Sequence, residues 1–147
     1  TVYLMGENGP QAVTTDELFA GKKIVLFALP GAFTPTCSQA HLPGYVVHAD
    51  TIKAKGVDAI FCLSVNDAFV MNAWGKANNA EAITMIADGN ADFTKALGLE
   101  LDASGAGMGL RCRRFALIAE NGVVTVLNIE QPKEFKVSNA ESVLKTL

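Results

Sequence analysis

The chain has 147 residues, half of them apolar and 18% charged, with a formal net charge of −3. This balance suits one folded domain spanning 1–147, and it argues against nonspecific nucleic-acid binding, which needs a basic footprint. The longest apolar runs reach about half of the roughly 20 residues that a membrane span requires, so no membrane partner is expected.

The first strong element in chain order is "KKIVLFAL" (22–29), an apolar, β-branched run of the kind that forms a strand buried on both faces. A helical segment over 37–55 follows, and "VDAIFCLSV" (57–65) reads as a second buried strand. A helix over about 67–78 comes next, with Asp67 placed to cap it, and then a third strand, "ITMIAD" (83–88). After a short helix at 91–97, the glycine-rich "LELDASGAGMGLRC" (99–112) is the longest stretch without a pattern and reads as irregular and mobile. "RRFALIAENGVVTVLNIE" (113–130) is a hairpin, with Asn121-Gly122 suited to the positive φ angles of its turn. A last helix over about 139–146 starts at Ser138 or Asn139. Strands alternating with helices and closing on a hairpin predict an α/β fold, a mixed sheet between helical layers.

Chemistry concentrates in two places. "PGAFTPTC" (30–37) ends the first strand at Pro30, which removes a ladder donor, and turns through Gly31 towards a helix whose first turn holds Cys37. Sites in such sheets collect beyond the carboxyl ends of strands, and free N–H groups at a helix start stabilise a thiolate. Thr34, three residues ahead, is placed to hydrogen-bond the sulfur or an oxygen bound to it. The plain alternative is a buried, inert cysteine that happens to begin a helix. The second place is "LRCRR" (110–114), which holds all three arginines of the chain while the nine lysines are scattered. Arginine stays charged and presents a rigid fork of donors, suited to a thiolate or a developing oxyanion. Strand alternation predicts that only one of Arg113 and Arg114 faces a given pocket, without saying which. For any one of the three arginines taken by itself, a solvated strand entrance or an oligomer salt bridge is the more ordinary account.

"PGAFTPTCSQAHLPGYV" resembles the P-x-x-x-T-x-x-C motif of the peroxiredoxins, and its C-S-x-x-H-L-P-G extension resembles their type II, or peroxiredoxin-five, subfamily. The likeness continues through "KAKGVDAIFCLSVNDAFVMNAWGKA" and "ADGNADFTKALGLELD" to the final hairpin, so it covers nearly the whole chain. It implies a thioredoxin-like fold and a thiol-dependent peroxidase acting on hydrogen peroxide and alkyl hydroperoxides, with a role in antioxidant defence and no cofactor. On this resemblance Cys37 is the peroxidatic cysteine, which passes through a sulfenic acid. Thr34 hydrogen-bonds sulfur and peroxide, Pro30 shields the pocket, and Arg114, directly before Phe115, is the family arginine in preference to Arg113. The N–H groups of Thr36 and Cys37 are expected to hold the peroxide. His41 shares a helical face with Cys37 and is placed beside the substrate in a mainly structural role, with Pro43 kinking or delaying the helix. Phe33 would contribute an apolar patch to the substrate side and to a homodimer face.

Cys62 resembles a second cysteine found in many type II members and is the candidate resolving residue. A thiol in a buried strand is more often a core residue, and a disulfide needs α-carbons within about 7 Å. Cys112 lies among arginines whose charge favours a thiolate, with no family role attached. No cysteine follows Cys112, which removes the C-terminal resolving cysteine of the mammalian members. One-cysteine cycling is therefore expected, with glutathione and glutaredoxin, or thioredoxin, as reductant. A thioredoxin-like oxidoreductase would need C-x-x-C where this chain has Thr34-Pro35-Thr36-Cys37. A noncatalytic thioredoxin-fold binding or redox-sensing module would leave the threonine, cysteine and arginine unexplained together. Cys37, His41 and His48 lack a fourth ligand for a metal. Three cysteines without repeating spacing, and no signal peptide in view, give the cytoplasm as the expected compartment, or an organelle if a transit peptide preceded Thr1.

Overall fold

A computed structural model describes residues 1–147. In chain order the elements are β1 (Val2–Gly6), β2 (Gly9–Val13), α1 (Thr15–Phe19), β3 (Lys23–Ala28), a π-helical turn (Cys37–His41) running into α2 (Leu42–Ala54), β4 (Ala59–Ser64), α3 (Ala68–Ala77), β5 (Thr84–Ala87) and α4 (Asp92–Leu97). They continue with β6 (Glu100–Asp102), a 3₁₀ turn (Ser104–Ala106), β7 (Leu110–Cys112), β8 (Phe115–Glu120), β9 (Val123–Ile129) and α5 (Ala140–Leu144).

Seven strands form one mixed sheet in the order β2-β1-β5-β4-β3-β8-β9. The apolar runs lie at its centre, where β3 pairs parallel to β4 and antiparallel to β8. Both faces of these strands are covered, which is why they read as continuous apolar segments and not as alternating ones. Val25, Phe27 and Leu29 of the β3 segment enter one core with Ile60 and Cys62; Ile24, Leu26 and Ala28 enter the other with Phe61 and Leu63. The first core is closed by α2, α3 and α5 through Tyr45, Ile52, Trp74 and Val143. The second is closed by Phe19 of α1, Leu99 and Cys112, with Phe93 of α4 packed against it.

The hairpin turns where the sequence placed it, with Asn121 and Gly122 at φ 49° and 81°. Asp67 caps α3 by accepting from the Val70 N–H at 2.8 Å. At α5 the cap is Asn139, which accepts from Ser142 N–H at 2.8 Å, because the Ser138 hydroxyl is turned to Glu130. Pro43 falls in the first turn of α2, and the segment before it, from Cys37, winds as a π-turn with the Leu42 N–H bonded to the Cys37 carbonyl. The helix expected over 37–55 is therefore two windings in series.

Two features differ from the sequence reading. The β1–β2 hairpin and α1 carry no strong apolar pattern: β2 is "GPQAV", and its middle residues are exposed. Backbone pairing to β1 from Val2↔Val13 to Gly6↔Gly9 holds it in place. The stretch 99–112, expected to be irregular, is a small two-stranded flap in which Glu100, Leu101 and Asp102 pair with Cys112, Arg111 and Leu110. Gly107 and Gly109 turn it at φ 73° and 68°, a conformation that disfavours other residues.

Candidate active site

β3 ends at Ala28, and the chain leaves the sheet through Pro30 at the carboxyl edge of the parallel strands. The turn is held locally: the Thr34 hydroxyl donates to the Gly31 carbonyl at 2.7 Å, and the Ala32 N–H donates to Asn66 Oδ1 at 3.0 Å. Gly31 sits in a tight spot, since a Cβ there would lie 3.2 Å from both Arg111 Nη1 and the Thr34 methyl and those side chains would have to give way. Phe33 takes the left-handed region at φ 64° and then the helix begins. Its first turn leaves the N–H groups of Thr36 and Cys37 without an acceptor in the protein.

The Cys37 side chain is fully buried, on the same side of the sheet as Cys62. Its sulfur receives a hydrogen bond from Arg114 Nη2 at 3.1 Å, a contact between residues 77 positions apart. Arg114 Nη1 donates to His41 Nδ1 at 2.7 Å. A guanidinium only donates, so His41 Nδ1 carries the lone pair and the Nε2–H donates to the Ser138 carbonyl at 3.1 Å. Burial, together with the Arg114 charge, lowers the His41 pKa to about 3, so the ring is neutral in the physiological range. The Phe135 ring lies over the Arg114 guanidinium, 5.6 Å from centroid to Cζ, and meets His41 edge-on. Ser38, next to the cysteine, is held by the indole N–H of Trp74 at 3.0 Å.

Arg113 donates to the Glu130 carbonyl at 3.1 Å and does not touch the sulfur. Both Arg113 and Arg114 line one cleft, together with Pro30 and Thr36 of the Cys37 turn, contrary to the strand-alternation expectation. The reason is that they lie in the irregular link between β7 and β8, where period-two alternation does not apply. The third arginine, Arg111, ties the flap to the sheet by donating to the carbonyls of Met108 and Val65. The cleft encloses about 610 Å³ and is lined by the flap, the 130–134 segment, Pro30 and Thr36.

Several expected site residues stand differently from the sequence reading. His41 is fully buried with both ring nitrogens engaged, so it touches Arg114 and no substrate. Thr34 donates to Gly31 and makes no bond to sulfur. Phe33 is 58% exposed and lies near Trp74, outside the cleft. Cys112, expected to be favoured as a thiolate by its arginines, faces the opposite core and donates to the Leu29 carbonyl at 3.0 Å. Burial pushes its thiol up to about 12, and the Asp88 charge acts in the same direction. Cys62 is fully buried in the centre of the sheet, and burial raises its thiol well above the usual range. Ser138, Phe135 and Tyr45, whose hydroxyl donates to the Ser138 carbonyl at 2.7 Å, were not visible as site components, because nothing in their own neighbourhoods marks them.

Residues 3–144 match the family model described as Redoxin. The chain is 50% identical to Peroxiredoxin-2D of Arabidopsis thaliana, over all of this chain and 92% of that protein. It superimposes on reduced Prx3 of Vibrio vulnificus, solved in complex with H2O2, at a TM-score of 0.96 and 62% identity, covering 99% and 92% of the two chains. The chain is a type II peroxiredoxin. A 1-Cys peroxiredoxin of Plasmodium falciparum aligns at a TM-score of 0.90 and 35% identity, covering 99% of this chain and 91% of its own. The peroxiredoxin is accordingly a thiol-dependent peroxidase built on a thioredoxin-like sheet. No helix in it is long and apolar enough to cross a membrane.

Proposed function

We propose that Cys37 is the peroxidatic nucleophile, and that Arg114 activates it while Thr34, Pro30 and the N–H groups of Thr36 and Cys37 shape and hold the peroxide. The observation that carries this reading is the Arg114 guanidinium on the Cys37 sulfur at 3.1 Å. The thiolate attacks the terminal peroxide oxygen; a sulfur–oxygen bond forms as the oxygen–oxygen bond breaks. The departing oxygen takes a proton and leaves as water or alcohol, and Cys37 becomes a sulfenic acid. Donors aimed at charge that develops on the departing oxygen stabilise the transition state. The unpaired N–H groups and Arg114 are those donors here. Thr34 Oγ donates to Gly31, which leaves its lone pairs free to accept the hydroperoxide proton.

The cleft is far larger than hydrogen peroxide and has apolar walls at Leu101, Ala103 and Pro132, which favours alkyl hydroperoxides as additional substrates. For the return half-reaction we infer one-cysteine cycling. An external thiol condenses with the sulfenic acid and releases water, and a second thiol frees Cys37 as a disulfide departs. Cys62 is a fully buried residue of a central strand whose thiol burial raises well above the usual range, and Cys112 faces the far core, which favours a reductant from outside the chain. Glutathione with glutaredoxin, or thioredoxin, fits this scheme as the external thiol. Phe33, 58% exposed in the active-site turn, favours a homodimer through this face.

Stopped-flow oxidation by hydrogen peroxide, with intact mass afterwards, tests the assignment on wild type, Cys37→Ser and Cys62→Ser. Fast oxidation lost only in Cys37→Ser, with a mass gain of one oxygen in wild type, is the expected result. A loss of two hydrogens that requires Cys62 would replace one-cysteine cycling by an internal disulfide. Oxidation of Cys37 no faster than that of a free thiol would remove the assignment.

A further inference from the structure

We propose that Glu130 is a positioning residue of the peroxidase: its carboxylate folds the segment after β9 into the support that aims Arg114 at Cys37. The proposal rests on the Cys37–Arg114 reading above and extends it to a residue that touches neither sulfur nor peroxide. Glu130 is 3% exposed, and no lysine or arginine pairs with its carboxylate. Its compensation comes from one short stretch of backbone. Oε2 accepts from the N–H groups of Lys136, Val137 and Ser138, each at 2.8 Å, and from the Ser138 hydroxyl at 2.7 Å. Oε1 accepts again from the Lys136 N–H at 2.9 Å. Successive N–H groups converging on one anion form a concave anion-binding turn, here filled by a side chain of the same protein. Burial raises the Glu130 pKa, but the combined donors outweigh it and hold the carboxyl below the usual range.

What this turn presents to the active site is the reason for assigning it a role. Ser138 gives its N–H and hydroxyl to Glu130 and its carbonyl to His41 Nε2 and the Tyr45 hydroxyl. The direction of that carbonyl fixes the His41 ring, whose other nitrogen accepts from Arg114. The same turn carries Phe135 over the guanidinium. From its backbone side Glu130 donates its N–H to the Arg114 carbonyl at 2.9 Å. One residue therefore holds Arg114 at the main chain directly and at the side chain through Ser138 and His41. Its contacts converge on the one guanidinium that meets the sulfur.

A double-mutant cycle tests the assignment, read as the second-order rate constant of Cys37 oxidation by hydrogen peroxide. Trp74, bonded to Ser38, supplies the fluorescence signal. Glu130→Gln keeps the shape but replaces an oxygen acceptor by a donor, and should slow oxidation by about tenfold, the scale of one misplaced charge-assisted contact. In an Arg114→Met background the same change should slow it no further. An equal loss in both backgrounds, or no loss with Arg114 intact, would overturn the proposal by showing that Glu130 does not act through Arg114. If Glu130→Gln does not fold, Ser138→Ala removes a single contact to the carboxylate, and its smaller loss must likewise vanish when Arg114 is Met. Wild type and Cys37→Ser run alongside: slow oxidation of wild type would bring down the nucleophile assignment itself, whereas normal wild-type oxidation with an uncoupled Glu130→Gln would bring down only the positioning role.

Discussion

Cys37 and Cys112 are both completely buried free thiols, one on each side of the same sheet. Burial alone would make both inert, since removing a sulfur from water penalises its charged form. The difference lies in what each sulfur meets. Cys37 accepts from a guanidinium and stands in the first turn of a helix with unpaired N–H groups; Cys112 donates to a carbonyl, a bond that only the protonated thiol makes. Both lie close in sequence to arginines or in contact with one, but Arg111 and Arg113 point their guanidinium groups at the carbonyls of Met108, Val65 and Glu130, away from Cys112. Neighbourhood in sequence therefore predicted the wrong environment for Cys112 and the right one for Cys37.

The strongest way to break the contrast is to remove the guanidinium. Arg114→Met should slow peroxide oxidation of Cys37 by about 10²–10³-fold, the loss seen when a preorganised donor to a developing oxyanion is deleted. Alkylation of Cys37 by iodoacetamide, which has no such oxyanion, should fall less. Arg114→Lys keeps the charge but cannot reach His41 and the sulfur together, so it should recover only part of the peroxide rate. Equal losses in the two reactions would mean that Arg114 acts on the sulfur alone, and the oxyanion role would go.

His41 offers a smaller perturbation with a second readout. His41→Leu leaves Arg114 Nη1 and the Ser138 carbonyl without their ring partner, and peroxide oxidation should slow by about tenfold. The histidine also predicts a pH dependence of stability. Its folded-state pKa of about 3 lies below the ordinary 6.5, so the unfolded chain binds the extra proton between those values. Stability from this residue is complete above about pH 6.5 and is lost as pH falls, at up to about 1.4 kcal/mol per pH unit. Glu130 is also held below its usual value, so its contribution is complete above the ordinary carboxylate range and is lost only as pH falls below it. Denaturant unfolding of wild type and His41→Leu from pH 6.5 to 5 separates the two. The wild-type slope should flatten in the variant.

How much of this was legible follows from distance along the chain. The turn from Pro30 to Cys37 is a local device, and its residue types state their purpose within eight positions. The central strands were equally plain, because burial on both faces leaves a continuous apolar run. Arg114 could be chosen over Arg113 only by family likeness, since the link between β7 and β8 obeys no strand alternation. Of the support behind Arg114 only His41 was legible, from its helical spacing to Cys37; its partners were not. His41 meets Ser138 across 97 positions, and a serine, a phenylalanine and a glutamate in a polar C-terminal stretch carry no local sign of convergence. Strands β2, β6 and β7 escaped for a related reason: backbone pairing holds them, while their side chains show no apolar run or alternation.

The smallest effect belongs to Cys112, and it sharpens the comparison from the inert side. Cys112→Ser keeps a hydroxyl donor for the Leu29 carbonyl, the last residue before Pro30, so the attachment of β7 to the active-site turn should survive. Replacing a buried, weakly polar thiol by a hydroxyl should lower stability by about 1 kcal/mol, because the hydroxyl is less at ease among Leu99, Phe115 and Leu117. The peroxide rate constant should stay within about twofold of wild type, a change worth less than 0.5 kcal/mol in the barrier. Native Cys112 should also resist alkylation until the chain is unfolded, as a thiol pushed up to about 12 holds its proton at neutral pH. A rate loss as large as that expected for His41→Leu, with stability unchanged, would show that the second sulfur takes part in the chemistry. The difference between the two thiols would then lie in access and not in the contacts each sulfur makes.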